Sequence, residues 1–380
     1  MNQPPNTALV EHFAELDDPR ADNRRHLLID ILVIAICAAI CGADSWEDIE
    51  LFGEAKKRWF RTFLELPHGI PSPDTFARVF GALDPEQFQE AFTRWVQDVS
   101  TLVTGEVIAI DGKTARRSYD RQGGKAAIHM VSAWASDNRL VLGQKKVDDK
   151  SNEITAIPEL LQVLAVSGCI VTIDAMGCQK AIAQQITEQE ADYVFTLKEN
   201  QGRLYEDVSG FFEYAHRIGF RHVESDQCRT VEKGHGRIEI RQCQVISDPA
   251  YIETIRDGEA WPQLRSIAMV TAERRIEEKI ERESRYFITS LECDAEKVLH
   301  AVRTHWHIEN SLHWVLDVAF REDESRIRNK HSAENMVVLR HIALNLLKQE
   351  KTAKRSIKSK RLKAGWDEDY LMKVLAGLEA

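Results

Sequence analysis

The chain has 380 residues, 43% hydrophobic and 29% charged, with 10 prolines, which is the composition of ordinary globular protein and enough length for two or three domains of roughly 100–200 residues. A net charge of -10 excludes a uniformly basic protein that coats nucleic acid, so any grip on a polyanion must come from segregated patches. The seven cysteines are scattered and form no Cys-x-x-Cys pair, which argues against a disulfide framework or a zinc site and for a reducing cytoplasm.

Met1 to Pro19 holds no apolar stretch, so no secretory leader is expected. Ile29 to Ala43 is the longest apolar run, about 15 residues, too short to span a bilayer and suited to a buried helix. Residues 8–100 read as helical throughout. "SWEDIELFGEAKKRWFRTFLEL" runs at helical period, "PSPDTFARVFGAL" offers Asp74 as an N-cap, and "DPEQFQEAFTRWVQDV" opens with an Asp-Pro helix entry. Turns fall at Pro67–Pro73 and Asp84–Pro85.

At Gly105 the pattern changes. "EVIAIDGKTARRS" reads as an apolar strand ending at Asp111-Gly112. "IHMVSAWAS" and "LVLGQKKV" are two more strands joined by a turn at Asp137-Asn138. "EITAIPELLQVLAV" is a helix, "CIVTIDAM" a buried strand ending at Asp174, "CQKAIAQQITEQE" a helix and "DYVFTLK" a strand. This succession predicts an α/β domain with a mixed sheet. From 201 to 293 the rhythm is lost, and "GRIEIRQCQVIS", "LRSIAMVTAERRI" and "ESRYFITSL" alternate as strands, which predicts a mainly β insertion. Gly234 and Gly236 mark a turn there. Helix returns in "DAEKVLHAVRTHWHIENSLHWVLDVAF" and "SAENMVVLRHIALNLLK". The segment Lys348 to Lys363 carries eight Lys/Arg and one Glu, the strongest basic run of the chain, followed by the helical "AGWDEDYLMKVLAGL".

Two aspartates, Asp111 and Asp174, end apolar strands, where α/β sheets place their sites. A third acid, Glu309, lies on an otherwise apolar and aromatic helix, where a carboxylate is costly unless it is paired or binds a cation. Three carboxylates suit hard, oxygen-seeking Mg²⁺ or Mn²⁺, and two-ion phosphoryl transfer needs at least two or three of them. His305, Glu309 and His313 at i, i+4 and i+8 share one face of a regular helix and allow a rival zinc reading. Lys113, Arg116 and Arg117 follow the first Asp closely, where they would meet DNA phosphates. Lys354, Lys358 and Lys360 in the basic run are further candidates for phosphate contact.

These blocks resemble the H-repeat-associated transposases, an insertion-sequence family within the DDE transposases. The likeness runs through "GIPSPDTFARVF", "LDPEQF", "AIDGKTARRS", "KSNEITAIPELL", "VTIDAMGCQ", "ADYVFTLKENQ", "GHGR", "HWHIENSLHWVLDVAFREDESRIR" and "LRHIALNLLK". It implies a ribonuclease-H-like catalytic core with an N-terminal helical associated domain, and maps the catalytic and metal-holding acids onto Asp111, Asp174 and Glu309. Related transposases place a Tyr and an Arg before the Glu and a Lys after it; here those positions hold Val302, His305 and Leu316. His305 is then the candidate for the Arg's phosphate contact, with Arg303 and His313 beside it.

The expected layout is a helical domain over 1–100, a catalytic domain over 101–200 and 294–350 around a β-rich insertion at 201–293, and a basic tail with a short helix at 351–380. The expected function is metal-dependent cleavage and strand transfer at insertion-sequence ends, by a cytoplasmic homodimer or larger synaptic assembly with two Mg²⁺ or Mn²⁺ ions per site and no membrane. The rivals are a domesticated DNA-binding protein without catalysis, and a stand-alone nuclease of the same fold.

Overall fold

The computed structural model describes residues 7–21, 24–119, 126–148, 151–234 and 236–376; of the motif residues quoted above, Lys150, His235, Gly377 and Leu378 lie outside these. Five helices come first: α1 (Thr7–Ala14), α2 (Leu28–Cys41), α3 (Trp46–Phe60), α4 (Pro73–Ala82) and α5 (Pro85–Val99). Local chemistry sets their ends. Ser45 and Asp48 form a reciprocal capping box at α3. At α5 the Asp84 carboxylate accepts from the N–H groups of Glu86 and Gln87, with Pro85 in the first turn. At α4 the cap position is Ser72 rather than the expected Asp74; Pro73 starts the helix, and Asp74 sits inside the first turn, where a negative charge suits the helix dipole. Helix α2 buries 12 of its 14 residues. Among the described residues no single helix is long and apolar enough to cross a membrane.

The next segment alternates β1 (Val107–Thr114), β2 (His129–Ala135), β3 (Leu140–Lys146), α6 (Glu153–Gln162), β4 (Ile170–Ile173), α7 (Lys180–Glu188) and β5 (Asp192–Leu197). In space the strands run β3-β2-β1-β4-β5, with β2 antiparallel to both β1 and β3, and β4 parallel to both β1 and β5. This is the ribonuclease-H-like mixed sheet with flanking helices. One detail departs from the sequence reading. β1 does not end at Asp111-Gly112 but continues to Thr114, because β2 pairs with it from Ile108↔Ala135 to Thr114↔His129. The parallel partner β4 stops at Ile110↔Ile173. Asp111 therefore stands where the β1–β4 pair opens, and Asp174 is the first residue after β4.

The segment expected to be mainly β opens instead with a helix, α8 (Gly202–Ile218), whose buried Leu204, Val208, Phe212 and Ala215 have helical spacing. It continues with β6 (Ser225–Gly234), β7 (Arg237–Ile246), the single turn α9 (Pro249–Ile252), β8 (Ser266–Ile276) and β9 (Lys279–Thr289). β9 pairs antiparallel with β5, so the four added strands extend the same sheet to nine. Neither α8 nor β6 was expected from the sequence.

The chain closes with α10 (Ala295–Ile308), a π-helical turn (Glu309–His313), α11 (Trp314–Ala319), α12 (Ser332–Gln349), α13 (Ile357–Trp366) and α14 (Glu368–Ala376). Helix α12 is buried along most of its length between the N-terminal helices and β3. Its Asn335 amide donates to the carbonyls of Phe80 and Leu83, and Asn345 bonds both backbone groups of Val141. Part of the basic run is structural. Lys360 is buried, and its ammonium donates to the Leu347 carbonyl (2.9 Å) and to that of Glu350 at the end of α12. Arg361 donates to the carbonyl of Ala39 (2.9 Å). Lys354 and Lys358 are exposed.

Candidate active site

Asp111, Asp174 and Glu309 line one cavity of about 800 Å³, walled further by Lys198, Arg285, Tyr286, His305 and Trp306. The sheet supplies the first two acids and the turn that follows α10 the third. The Asp111 carboxylate accepts the Gly112 N–H (2.9 Å), and that of Asp174 accepts the N–H groups of Met176 (2.9 Å) and Gly177 (3.4 Å). Glu309 begins the π-helical turn, an irregularity that is frequent at functional sites.

The tightest group is not the expected triad. Ligand atoms of Asp111, Glu309 and His313 lie within 4.8 Å of one another. His313 Nδ1 is 3.6 Å from Asp111 and 3.4 Å from Glu309, and the ring is buried. Asp174 faces the same cavity from outside that group. His305 does not join it either: its Nδ1 pairs with the Thr172 hydroxyl at 3.0 Å. The i, i+4, i+8 ligand row that a regular helix offered is thus not assembled.

Electrostatics single out Asp111. Burial pushes its pKa up to about 7, and the carboxylates of Glu309, Glu153 and Asp174 push the same way against the Gly112 N–H. Burial lowers His305 to about 4, so its ring is neutral near pH 7. Burial also lowers His313, against the pull of Glu309. No Lys or Arg pairs with Asp111, Asp174 or Glu309 among the described residues. Two clustered carboxylates and an imidazole nitrogen, with a third acid across the cavity, are a donor set that fits a divalent cation.

Glu153, the first residue of α6, escaped the sequence reading. Its carboxylate holds His129 Nε2 at 2.7 Å, and His129 Nδ1 meets the Thr114 hydroxyl at 2.8 Å. A Cβ at position 112 would come within 2.2 Å of the Glu153 carboxylate and 2.7 Å of the His129 ring, so only glycine leaves room for this pair beside Asp111. Glycine after the first Asp was the available signal. Lys198 and Arg285 were also missed. Lys198 directly follows β5, at the sheet edge that carries Asp174, and the same strand-end rule finds it. Arg285 stacks 4.1 Å from the centroid of the Trp306 ring.

The expected phosphate contacts divide. Lys113 is committed to Asp317 (2.7 Å), Glu322 (3.1 Å) and Asp323 (3.6 Å). Arg303 is paired with Glu232 at 2.5 Å, and Lys360 is buried as described. Arg116 is 80% exposed with one partner, Asp323, at 3.3 Å. Arg117, Lys354 and Lys358 are exposed.

A mixed sheet in this strand order, with acids converging from two strand ends and from the π-helical turn after α10, defines a ribonuclease-H-like protein. Comparison with known proteins narrows this. Residues 103–346 match the transposase DDE domain family, and residues 10–96 match the DDE_Tnp_1-associated family. The chain is 44% identical over 374 residues to the "H repeat-associated putative transposase YhhI" of Escherichia coli (strain K12), covering 97% of this chain and 98% of that protein. It is 41% identical over 376 residues to the "Putative transposase YncI" of Escherichia coli O157:H7, covering 97% and 94%. The chain belongs to the DDE transposase family.

Proposed function

We propose that the protein is an active transposase that cleaves DNA at the ends of an insertion sequence and joins the freed end to target DNA. One observation carries this reading: one cavity gathers Asp111, Asp174 and Glu309, and among the described residues no Lys or Arg forms an ion pair with any of them. Asp111, Glu309 and Asp174, with His313 as a nitrogen donor, would hold two Mg²⁺ or Mn²⁺ ions. Such ions, when bound, activate a water and stabilise the leaving 3′-oxygen. The protein's own part is positioning. The Gly112 N–H fixes the Asp111 carboxylate, and the Met176 and Gly177 N–H groups fix Asp174. Lys198 at the cavity wall would take a DNA phosphate, with Arg285 beside it held by Glu283 and Trp306, and Arg116, Arg117, Lys354 and Lys358 are exposed cations for the flanking duplex. Two element ends call for a homodimer or larger assembly, acting in the cytoplasm. Within the chain, 1–100 would serve as the associated domain and 101–200 with 294–350 as the catalytic one, around the insertion at 201–293.

The test is a plasmid carrying the gene with its natural flanking DNA, incubated with purified protein and Mg²⁺ or Mn²⁺. Nicks at defined flanking positions and joint molecules with a second plasmid are expected, and EDTA should suppress both. Nicking without joint molecules would mean a nuclease; duplex binding without either product would mean a domesticated DNA-binding protein.

A further inference from the structure

We propose that a second cavity, on the far side of α10 from the catalytic acids, is a phosphate-binding cleft that holds the backbone of a DNA strand. This rests on the transposase reading and adds to it a site apart from the acids. The cleft has a volume of about 750 Å³, and Trp134, Arg139, Arg229, His300, Arg303 and Lys348 are among its walls. Along α10, His300, Arg303 and His307 face this cleft, whereas His305, and Glu309 just after the helix, face the catalytic cavity. At 100° per residue these sets lie on opposite sides of the helix.

Three cations of the cleft are unlike those around them, although Arg303 in the same wall is paired with Glu232. Arginines on the neighbouring strands are paired: Arg241 with Glu232 and Glu239, Arg275 and Arg282 with Glu273, and Arg285 with Glu283. Arg139, Arg229 and Lys348 form no ion pair among the described residues. The two acids in the wall, Asp137 and Glu296, bridge to none of them. Lys348 is half-buried, its ammonium 4.6 Å from the centroid of the Trp134 ring. Burial, with the charges of Arg139 and Lys360, lowers its pKa to about 8. Arg139 occupies left-handed backbone (φ 56) in the β2–β3 turn, where glycine or asparagine is the ordinary choice. Like charges gathered in a concave wall with no carboxylate bridging them repel one another, and an anion between them relieves the cost. In a protein whose substrate is DNA, a cleft of this size suits the sugar–phosphate backbone, because phosphates attract such cations whatever the base sequence.

The experiment measures binding of a fluorescein-labelled 40-base-pair duplex to the full chain in EDTA, across a salt series. The triple variant Arg139→Ala, Arg229→Ala, Lys348→Met is expected to bind about tenfold more weakly, with a log–log salt slope shallower by about 2–3, since each lost phosphate contact removes roughly 0.9. Mn²⁺ binding at the catalytic acids should not change. Should the triple variant fail to fold, Arg229→Glu alone, on an exposed strand position, should weaken binding severalfold. Wild-type affinity and slope in a folded variant overturn the cleft but leave the transposase reading standing, whereas a wild type that binds no duplex overturns both. A third arm labels Lys348 with acetic anhydride. Protection by duplex but not by millimolar inorganic phosphate supports a DNA strand; equal protection by free phosphate overturns it.

Discussion

Two groups of carboxylates lie on either side of His313, and they are built on opposite plans. In one, Glu322 is buried and Asp317 and Asp323 half-buried around Lys113, with Arg340 on the far side of Glu322 (3.5 Å). Burial would raise Glu322, yet Arg340 and Lys113 bring its pKa below the ordinary value. In the other, Asp111 meets Glu309, Glu153 and Asp174 without a cation and rises to about 7. His313 stands between the groups, its Nδ1 toward Asp111 and Glu309 and within electrostatic range of Lys113 and Glu322. A neutralised cluster holds the fold, whereas an uncompensated one is a standing cost that only an external cation relieves. Acidity alone does not mark a site; acidity without counter-charge does.

The sharpest break between the groups is kinetic. Asp111→Asn, Asp174→Asn and Glu309→Gln should each cut cleavage by roughly a thousandfold, about 4 kcal/mol of barrier, while leaving circular dichroism and duplex binding intact. Near-wild-type cleavage in any one of them would remove that residue from the site. On the other side, Glu322→Gln should leave Lys113 and Arg340 without their buried partner, lowering stability by about 3–5 kcal/mol. Thermal melting checks it, and an unchanged melting temperature would erase the distinction between the clusters.

The layout of these clusters was partly legible in the sequence. Asp111 and Asp174 stood out because each follows a β-branched run, and Glu309 because a lone acid interrupts an apolar helix. What escaped was what tertiary structure decides. Lys113 reads as a free cation beside Asp111; its capture depends on acids some 200 positions later. Glu153 reads as a helix start, and only the folded chain brings it against Gly112. The π-helical turn that separates His305 from His313 has no pattern in a 3.6-residue period. β6 was missed because none of its residues is buried, so nothing enforces the alternation by which a strand is recognised. The basic run was visible, but not that Lys360 caps α12 while Lys354 and Lys358 face outward.

His313 sharpens the comparison at a smaller scale. If its Nδ1 completes the cation site, His313→Gln should lower Mn²⁺ affinity by roughly tenfold in calorimetric titration, the lower end of what a support residue of a metal site costs. Stability without metal should change little. Unaltered affinity would make His313 a spacer between the clusters.

The smallest effect is a pH dependence, and its sign follows from the same difference. The folded pKa of Asp111, about 7, lies above the ordinary carboxylate value near 3.9, so the folded metal-free protein binds a proton that the unfolded chain has released. Stability from this group is therefore lost as pH rises through about 7 and is fully lost above it. Two buried histidines act in the other direction at lower pH. His305 and His341, both lowered to about 4 by burial, destabilise the fold as pH falls below about 6.5. Lys348, lowered to about 8, adds stability only as pH climbs above that value. Between pH 6.5 and 8 the histidine and lysine changes offset that of the carboxylate, so the reading is the difference between two chains that share them. In EDTA the stability of the wild type relative to Asp111→Asn should fall by about 1 kcal/mol over that interval, roughly 2 °C of melting temperature. The variant should melt higher at pH 8. Saturating Mn²⁺ should reverse the order, since a cation at 100 times its dissociation constant adds about 2.7 kcal/mol to the wild type and less to the variant. If Asp111→Asn melts lower than wild type in EDTA at pH 8, the carboxylate is already compensated within the protein, and the contrast between the two clusters fails.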